Sequence, residues 1–172
     1  MAANNFELRV PTKADRMAVH QLIAHCAPLD PNSAYCNVLQ THHFASTSVV
    51  AVDQPSLQGF VSGYVIPDRP DTLFIWQVAV GEKARGHGLA KRMLIELLQR
   101  PACQSVRYLE TTITRHNTAS WALFRSLAVE LATDLSECVG FDQDEDFLGQ
   151  HNTEYLVTIG PFGYLGSLVG QT

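Results

Sequence analysis

No apolar segment of this chain approaches the roughly 20 residues needed to span a bilayer, so no membrane anchor is expected. The opening MAANNFELRV lacks a basic region followed by an apolar run, and the expected location is the cytoplasm. Charge of one sign is scarce as well. Twelve Lys and Arg against 17 Asp and Glu give a net charge of −5 with no basic run, so the electrostatic footprint of a nucleic-acid binder is missing. The four cysteines, Cys26, Cys36, Cys103 and Cys138, contain no Cys-x-x-Cys pair, which argues against a zinc ribbon or redox motif and leaves reduced structural thiols. The seven histidines give no pair at helical i, i+4 spacing, and adjacent His42 and His43 would point apart on a strand, so no metal is expected. Internal repeats, linkers and low-complexity segments are absent too.

What is present suffices for one domain with a proper core: 172 residues, 46% of them hydrophobic. Phe6–Val10 alternates apolar and polar up to Pro11 and predicts a half-buried strand. Thr12, with Asp15 three residues on, caps a predicted amphipathic helix to about Cys26. Pro28–Ser33 is a loop by composition, and a second helix runs from Ala34 to His42, capped by Asn32 or Ser33. Residues 47–53 and 58–66 are β-rich and read as a hairpin, after which Pro67–Asp71 forms a stiff turn. Later segments predict a strand over 105–114, a helix over 117–127 and a last strand over 150–160, with the final residues free to fray.

The centre of the chain is Thr72–Leu98, TLFIWQVAVGEKARGHGLAKRMLIELL. Its first nine residues have the length and aromatic, β-branched content of a central strand. Gly81, Gly86 and Gly88 break the pattern, and Leu89, Met93, Leu94, Leu97 and Leu98 then recur at helical spacing until Pro101. Glycines at a helix N-terminus let the main chain close on a phosphate, where unpaired N–H groups and the positive end of the dipole converge. The stretch lacks the Gly-Lys-Ser/Thr ending of a P-loop and the third glycine of a dinucleotide fold. The residues alone thus give a small α/β domain with an anion site.

The spacing Arg85-x-x-Gly88-x-Ala90 resembles the pyrophosphate signature of the GNAT superfamily of acyl-CoA N-acyltransferases. The resemblance implies an α/β (α+β) fold, a mixed central sheet flanked by helices in a single domain over 1–172, with a core from about 6 to 161 and a tail from 162. It implies acetyl-CoA as donor, its pantetheine admitted where strands Thr72–Val80 and Ser105–Thr114 part. Backbone N–H groups of Val78, Ala79 and Val80, at a bulge, would hold the thioester carbonyl, a preorganised electrostatic contribution to acyl transfer. Arg85, Gly86, His87, Gly88, Leu89 and Ala90 would wrap the pyrophosphate. Asn117 would cap its helix and meet the pantetheine amides. Phe124 stands beside the cofactor where many members carry a tyrosine acid, so that acid is absent; Tyr108, Tyr155 and His151 are the candidates to replace it.

Four stretches, PLDPNSAYC, PDRPDTLFIWQVAV, RYLETTITRHNTASWALFRSLA and HNTEYLVTIGP, resemble more closely the diaminobutyrate acetyltransferases within that superfamily. This implies an acceptor that is a dication bearing a carboxylate, acetylated by direct attack in a ternary complex. Asp30, Tyr35, Trp76 and Glu110 are the expected acceptor residues, Trp76, Val78 and Glu110 the catalytic ones, with Glu110 as the base. A carboxylate between Leu109 and two threonines is costly to bury without a cation; a solvent-facing Glu110, a helix-capping Asp30 and a core-filling Trp76 are the bland alternatives. Cys36 and Cys138 are weaker candidates as acyl carriers. The rival functions are the same fold acting on a polyamine or aminoglycoside, and a non-catalytic acyl-CoA sensor. Relatives of the superfamily often dimerise, and the apolar tail 162–169 is a candidate contact.

Overall fold

The computed structural model describes residues 6–27 and 29–165. Among the described residues seven strands, β1 (Glu7–Arg9), β2 (Ser48–Asp53), β3 (Ser56–Ile66), β4 (Arg69–Val80), β5 (Tyr108–Thr114), β6 (Leu135–Phe141) and β7 (Glu154–Ile159), accompany four helices, α1 (Arg16–Ala24) and α2 (Ala34–His43) between β1 and β2, α3 (Leu89–Leu98) between β4 and β5, and α4 (Thr118–Glu130) between β5 and β6. Hydrogen-bonded strands follow the order β1-β2-β3-β4-β5-β7-β6. The sheet is mixed: β4 runs parallel to β5, with register Thr72↔Tyr108 to Phe74↔Glu110, and β1–β2, β2–β3, β5–β7 and β6–β7 are antiparallel.

Contacts gather the chain into two compact units, β4 contributing to both. The first contains the residues up to Tyr64 together with Ile75–Gln104. Its β2 is a run of β-branched residues with both faces covered, Val49 and Val50 having no exposed surface, as expected of an interior strand. Val19 and Ile23 of α1 pack with Val50, Phe60 and Ala79 in one cluster. On α3, Leu89, Met93, Leu94, Leu97 and Leu98 are all buried, one apolar stripe at helical period. Met93 comes so close to β3 that a Cβ on Gly59 would lie 2.8 Å from its methyl carbon, so a larger residue there would push the end of the Met93 side chain aside.

The second unit comprises Val65–Phe74 and Ser105–Tyr164. Its inner strands bury Leu109, Ile113, Val157 and Ile159, and α4 buries Trp121, Phe124 and Leu127.

Several boundaries differ from the sequence expectations. The hairpin turn is only Pro67–Asp68, and β4 starts at Arg69, not Thr72. Arg69, Pro70 and Asp71 are all exposed, so they carry no apolar signal, and proline is tolerated near a strand's start. β5 and β7 begin at Tyr108 and Glu154, later than expected. β6 was not anticipated at all; each of its seven residues is exposed or only partly buried, so an edge strand here lacks any apolar alternation. His42 and His43 close α2 instead of lying on a strand, their rings 5.2 Å apart. Pro28 of the first loop and residues 166–172 of the expected interface tail lie outside the described residues. Among the described residues no helix is long and apolar enough to cross a membrane.

Candidate functional site

The glycine turn supplies a cradle from local geometry. After β4 a 3-10 turn, Glu82–Ala84, brings the chain to Arg85, and Gly86 and Gly88 then take φ of 78° and 71°. These are left-handed values that L side chains adopt only at a cost. Gly88 is the N-cap of α3, whose first N–H groups have no intrahelical partner. Arg85, Gly86, His87 and Gly88 are exposed, Leu89 is buried and Ala90 half-buried. Arg85 Nε donates to the Val80 carbonyl at 3.0 Å, so the arginine braces the turn against the end of β4. A concave run of amides beside a cation at a helix N-terminus suits a pyrophosphate.

Just upstream, burial along β4 alternates: Leu73, Ile75, Gln77 and Ala79 are buried, and Phe74, Trp76, Val78 and Val80 on the other face are more open. Tyr64 and Trp76 both contact the ring of Phe44, at 5.5 and 6.4 Å. Val78 and Val80 are half-buried and Ala79 fully buried. Trp76 is 45% exposed, which removes the core-filling alternative.

The loop before α2 and the first turn of that helix each carry one expected acceptor residue. Asp30 Oδ1 accepts from the Asn32 N–H at 3.1 Å, closing a local turn; it does not cap α2, because Ser33 Oγ takes the Cys36 N–H. Tyr35 projects from the first turn of α2, 73% exposed. Gln77 and Asn37, unnoticed in the sequence, bind this loop, and Asn37 also meets His20, which the sequence places as a rim residue. Asn37 has no exposed surface and Gln77 only 5%, and a buried polar residue inside an apolar period was the signal available.

In the second unit Glu110 is 5% exposed, so it does not face solvent. Arg69 supplies the cation that such burial requires, donating from Nη1 to Oε1 and from Nη2 to Oε2, both at 2.7 Å. The hydrogen bonds to Glu110 raise the Arg69 pKa further. This fork uses one lone pair on each oxygen and leaves the others for a donor such as an ammonium. Arg69 escaped notice because it was read as part of a turn.

Asn117 caps α4, its Oδ1 accepting from the Ser120 N–H at 3.1 Å. Phe124 is 2% exposed and serves the core. Among the candidate acids, Tyr108 is half-buried, and the Tyr155 ring lies 3.7 Å from the Arg115 guanidinium. His151 sets Nδ1 against the Asn152 carbonyl at 2.7 Å and Nε2 3.7 Å from Glu154, whose carboxyl is pushed up by burial. Cys36 is half-buried and Cys138 exposed, while burial pushes the Cys103 thiol up to about 11. Among the described residues no group of three or more His, Cys, Asp or Glu side chains is arranged to hold a metal.

The Acetyltransferase (GNAT) family matches residues 16–128. The chain is 57% identical over 155 residues to L-2,4-diaminobutyric acid acetyltransferase of Methylotuvimicrobium alcaliphilum, covering 90% of each. It is 51% identical to the protein of that name from Vibrio cholerae, covering 88% of this chain and 87% of that one. Among solved structures it is similar to diaminobutyrate acetyltransferase from Paenibacillus lautus in complex with its substrate L-2,4-diaminobutyric acid and coenzyme A. That match has a TM-score of 0.87 at 36% identity and covers 97% of this chain and 99% of that one.

Proposed function

The chain belongs to the GNAT family of acetyltransferases, and on that premise we propose that it acetylates the γ-amine of L-2,4-diaminobutyrate from acetyl-CoA. Near-complete similarity to proteins named for that reaction carries the reading. The whole chain, 1–172, is read as one catalytic domain whose product would feed cyclisation to ectoine, an osmoprotectant, in the cytoplasm. A homodimer completes the reading.

Acetyl-CoA supplies an activated acetyl thioester. Arg85 and the main chain of Gly86–Ala90 hold its pyrophosphate, supported by the open left-handed turn and the exposed guanidinium. N–H groups of Val78–Val80 take up charge developing on the carbonyl oxygen. Asn117 and Phe124 line the pantetheine side. Asp30, Tyr35, Trp76 and Glu110 receive the diamine; the exposure of Tyr35 and Trp76 and the free lone pairs of Glu110 support this. Glu110, directly or through water, accepts the proton that the ammonium must lose before attack.

The test is thiol release from acetyl-CoA with L-2,4-diaminobutyrate, ornithine, lysine, spermidine and an aminoglycoside side by side. A clear preference for diaminobutyrate is expected. Preference for another amine discards the acceptor reading, and absence of turnover with tight acetyl-CoA binding leaves only a sensor. Arg85→Glu should raise the KM for acetyl-CoA far more than that for the amine; an unchanged KM removes Arg85 from the donor site.

A further inference from the structure

The residues joining α1 to α2 have no regular structure at Asp30–Ser33, yet they are held from two sides. From β4, Gln77 Oε1 accepts from Asn32 Nδ2 at 2.9 Å, and Gln77 Nε2 donates to the Asp30 carbonyl at 3.4 Å. From α2, Asn37 Nδ2 donates to the Pro31 carbonyl at 3.0 Å and meets Nδ1 of His20 on α1 at 2.8 Å. Asn32 itself adopts a left-handed φ of 55°.

Hydrogen-bond chemistry fixes the orientations. The Pro31 carbonyl can only accept, so the amide atom against it is the nitrogen. That nitrogen offers only protons, so His20 Nδ1 must accept and its ring proton resides on Nε2. Asn37 Oδ1 is left buried without a hydrogen-bond partner. Turning the amide over would set two oxygens against each other at Pro31. One unsatisfied acceptor is the smaller cost.

We propose that Asn32, Asn37 and Gln77, with His20 Nδ1 against Asn37, are positioning residues for the amine substrate. They hold Asp30 and Tyr35 in place before the amine arrives, so the loop is a preformed wall and not a lid. A preordered loop spares the ordering cost on binding. Gln77 directly precedes Val78–Val80, so the same side chain links the amine-binding loop to the strand assigned to the thioester. The inference rests on the reading that Asp30 and Tyr35 meet the amine.

Asn32→Gly tests it with little risk to folding, because glycine accepts the left-handed backbone and only the clamp is lost. With diaminobutyrate as substrate, Asn32→Gly and Gln77→Met should each raise the amine KM about tenfold, the worth of a lost hydrogen bond. The acetyl-CoA KM should stay within about twofold, and the double variant should raise the amine KM by less than the product of the two singles, since both remove the Asn32–Gln77 bond. An unchanged amine KM in Asn32→Gly, or a parallel rise in both KM values, overturns the proposal. Asp30→Asn and Tyr35→Phe run alongside. If they raise the amine KM while Asn32→Gly does not, the clamp fails and the loop assignment stands; if they too leave it unchanged, the loop assignment is what fails.

Discussion

Removing Arg69 should cost more stability than removing its partner, although the two make the same hydrogen bonds. The side chain of Arg69 is 50% exposed and that of Glu110 only 6%. In Arg69→Met the carboxylate stays buried without its fork. A fully buried pair broken this way loses about 3–5 kcal/mol. Here water can enter from the vacated, half-exposed side, which brings the expected loss to about 2–3 kcal/mol. In Glu110→Gln the guanidinium keeps one acceptor and turns its other nitrogen to solvent, so the loss should be about 1 kcal/mol. The double variant should fall below the sum of the singles, because the orphaned charge no longer exists. Urea denaturation at neutral pH with a common slope measures all three. Equal losses in the two single variants, or a larger loss in Glu110→Gln, would refute the argument from burial.

Asp15 gives a pH-dependent counterpart. The Arg9 fork, at 2.7 and 2.9 Å, and the Thr12 N–H and hydroxyl hold its carboxyl at about 2 in place of the ordinary 3.8. A folded value below the unfolded one contributes stability that is present above pH 3.8 and lost as pH falls towards 2, about 2 kcal/mol in all. Acid denaturation of Asp15→Asn should lack that contribution; identical acid curves for the two proteins would contradict it. Cys103, at 2% exposure and a pKa of about 11, should resist a disulfide reagent at about pH 8 while exposed Cys138 reacts at once, and uniform labelling would be the contrary result. Gly160→Ala should cost about 3 kcal/mol or more, since its φ is 138° and a Cβ would lie 2.6 Å from the Arg107 carbonyl oxygen. Gly88→Ala, strained at φ 71° but with no atom within 4 Å, should cost only about 1–2 kcal/mol, and the reverse order would show that steric contact at Gly160 is relieved.

Legibility followed the distance over which each feature is encoded. The strand, turn and helix of residues 72–98 were readable because strand length, left-handed glycines and the α3 stripe repeat within a few residues of one another. The caps at Ser33 and Asn117 were readable for the same reason. Boundaries failed where exposure hid the pattern: Arg69–Asp71 and all of β6 lack a buried face, so no hydrophobic period marks them.

By itself, then, the sequence determined the order of most elements, the glycine turn at the head of α3, and a resemblance strong enough to name the chemistry. Only the tertiary structure decided what each polar residue does. Glu110 meets Arg69 from 41 residues away and Asn32 meets Gln77 from 45. Such pairs leave no local period, because what selects them is the cost of burying a charge or an amide alone, and that cost exists only once the chain has folded around them.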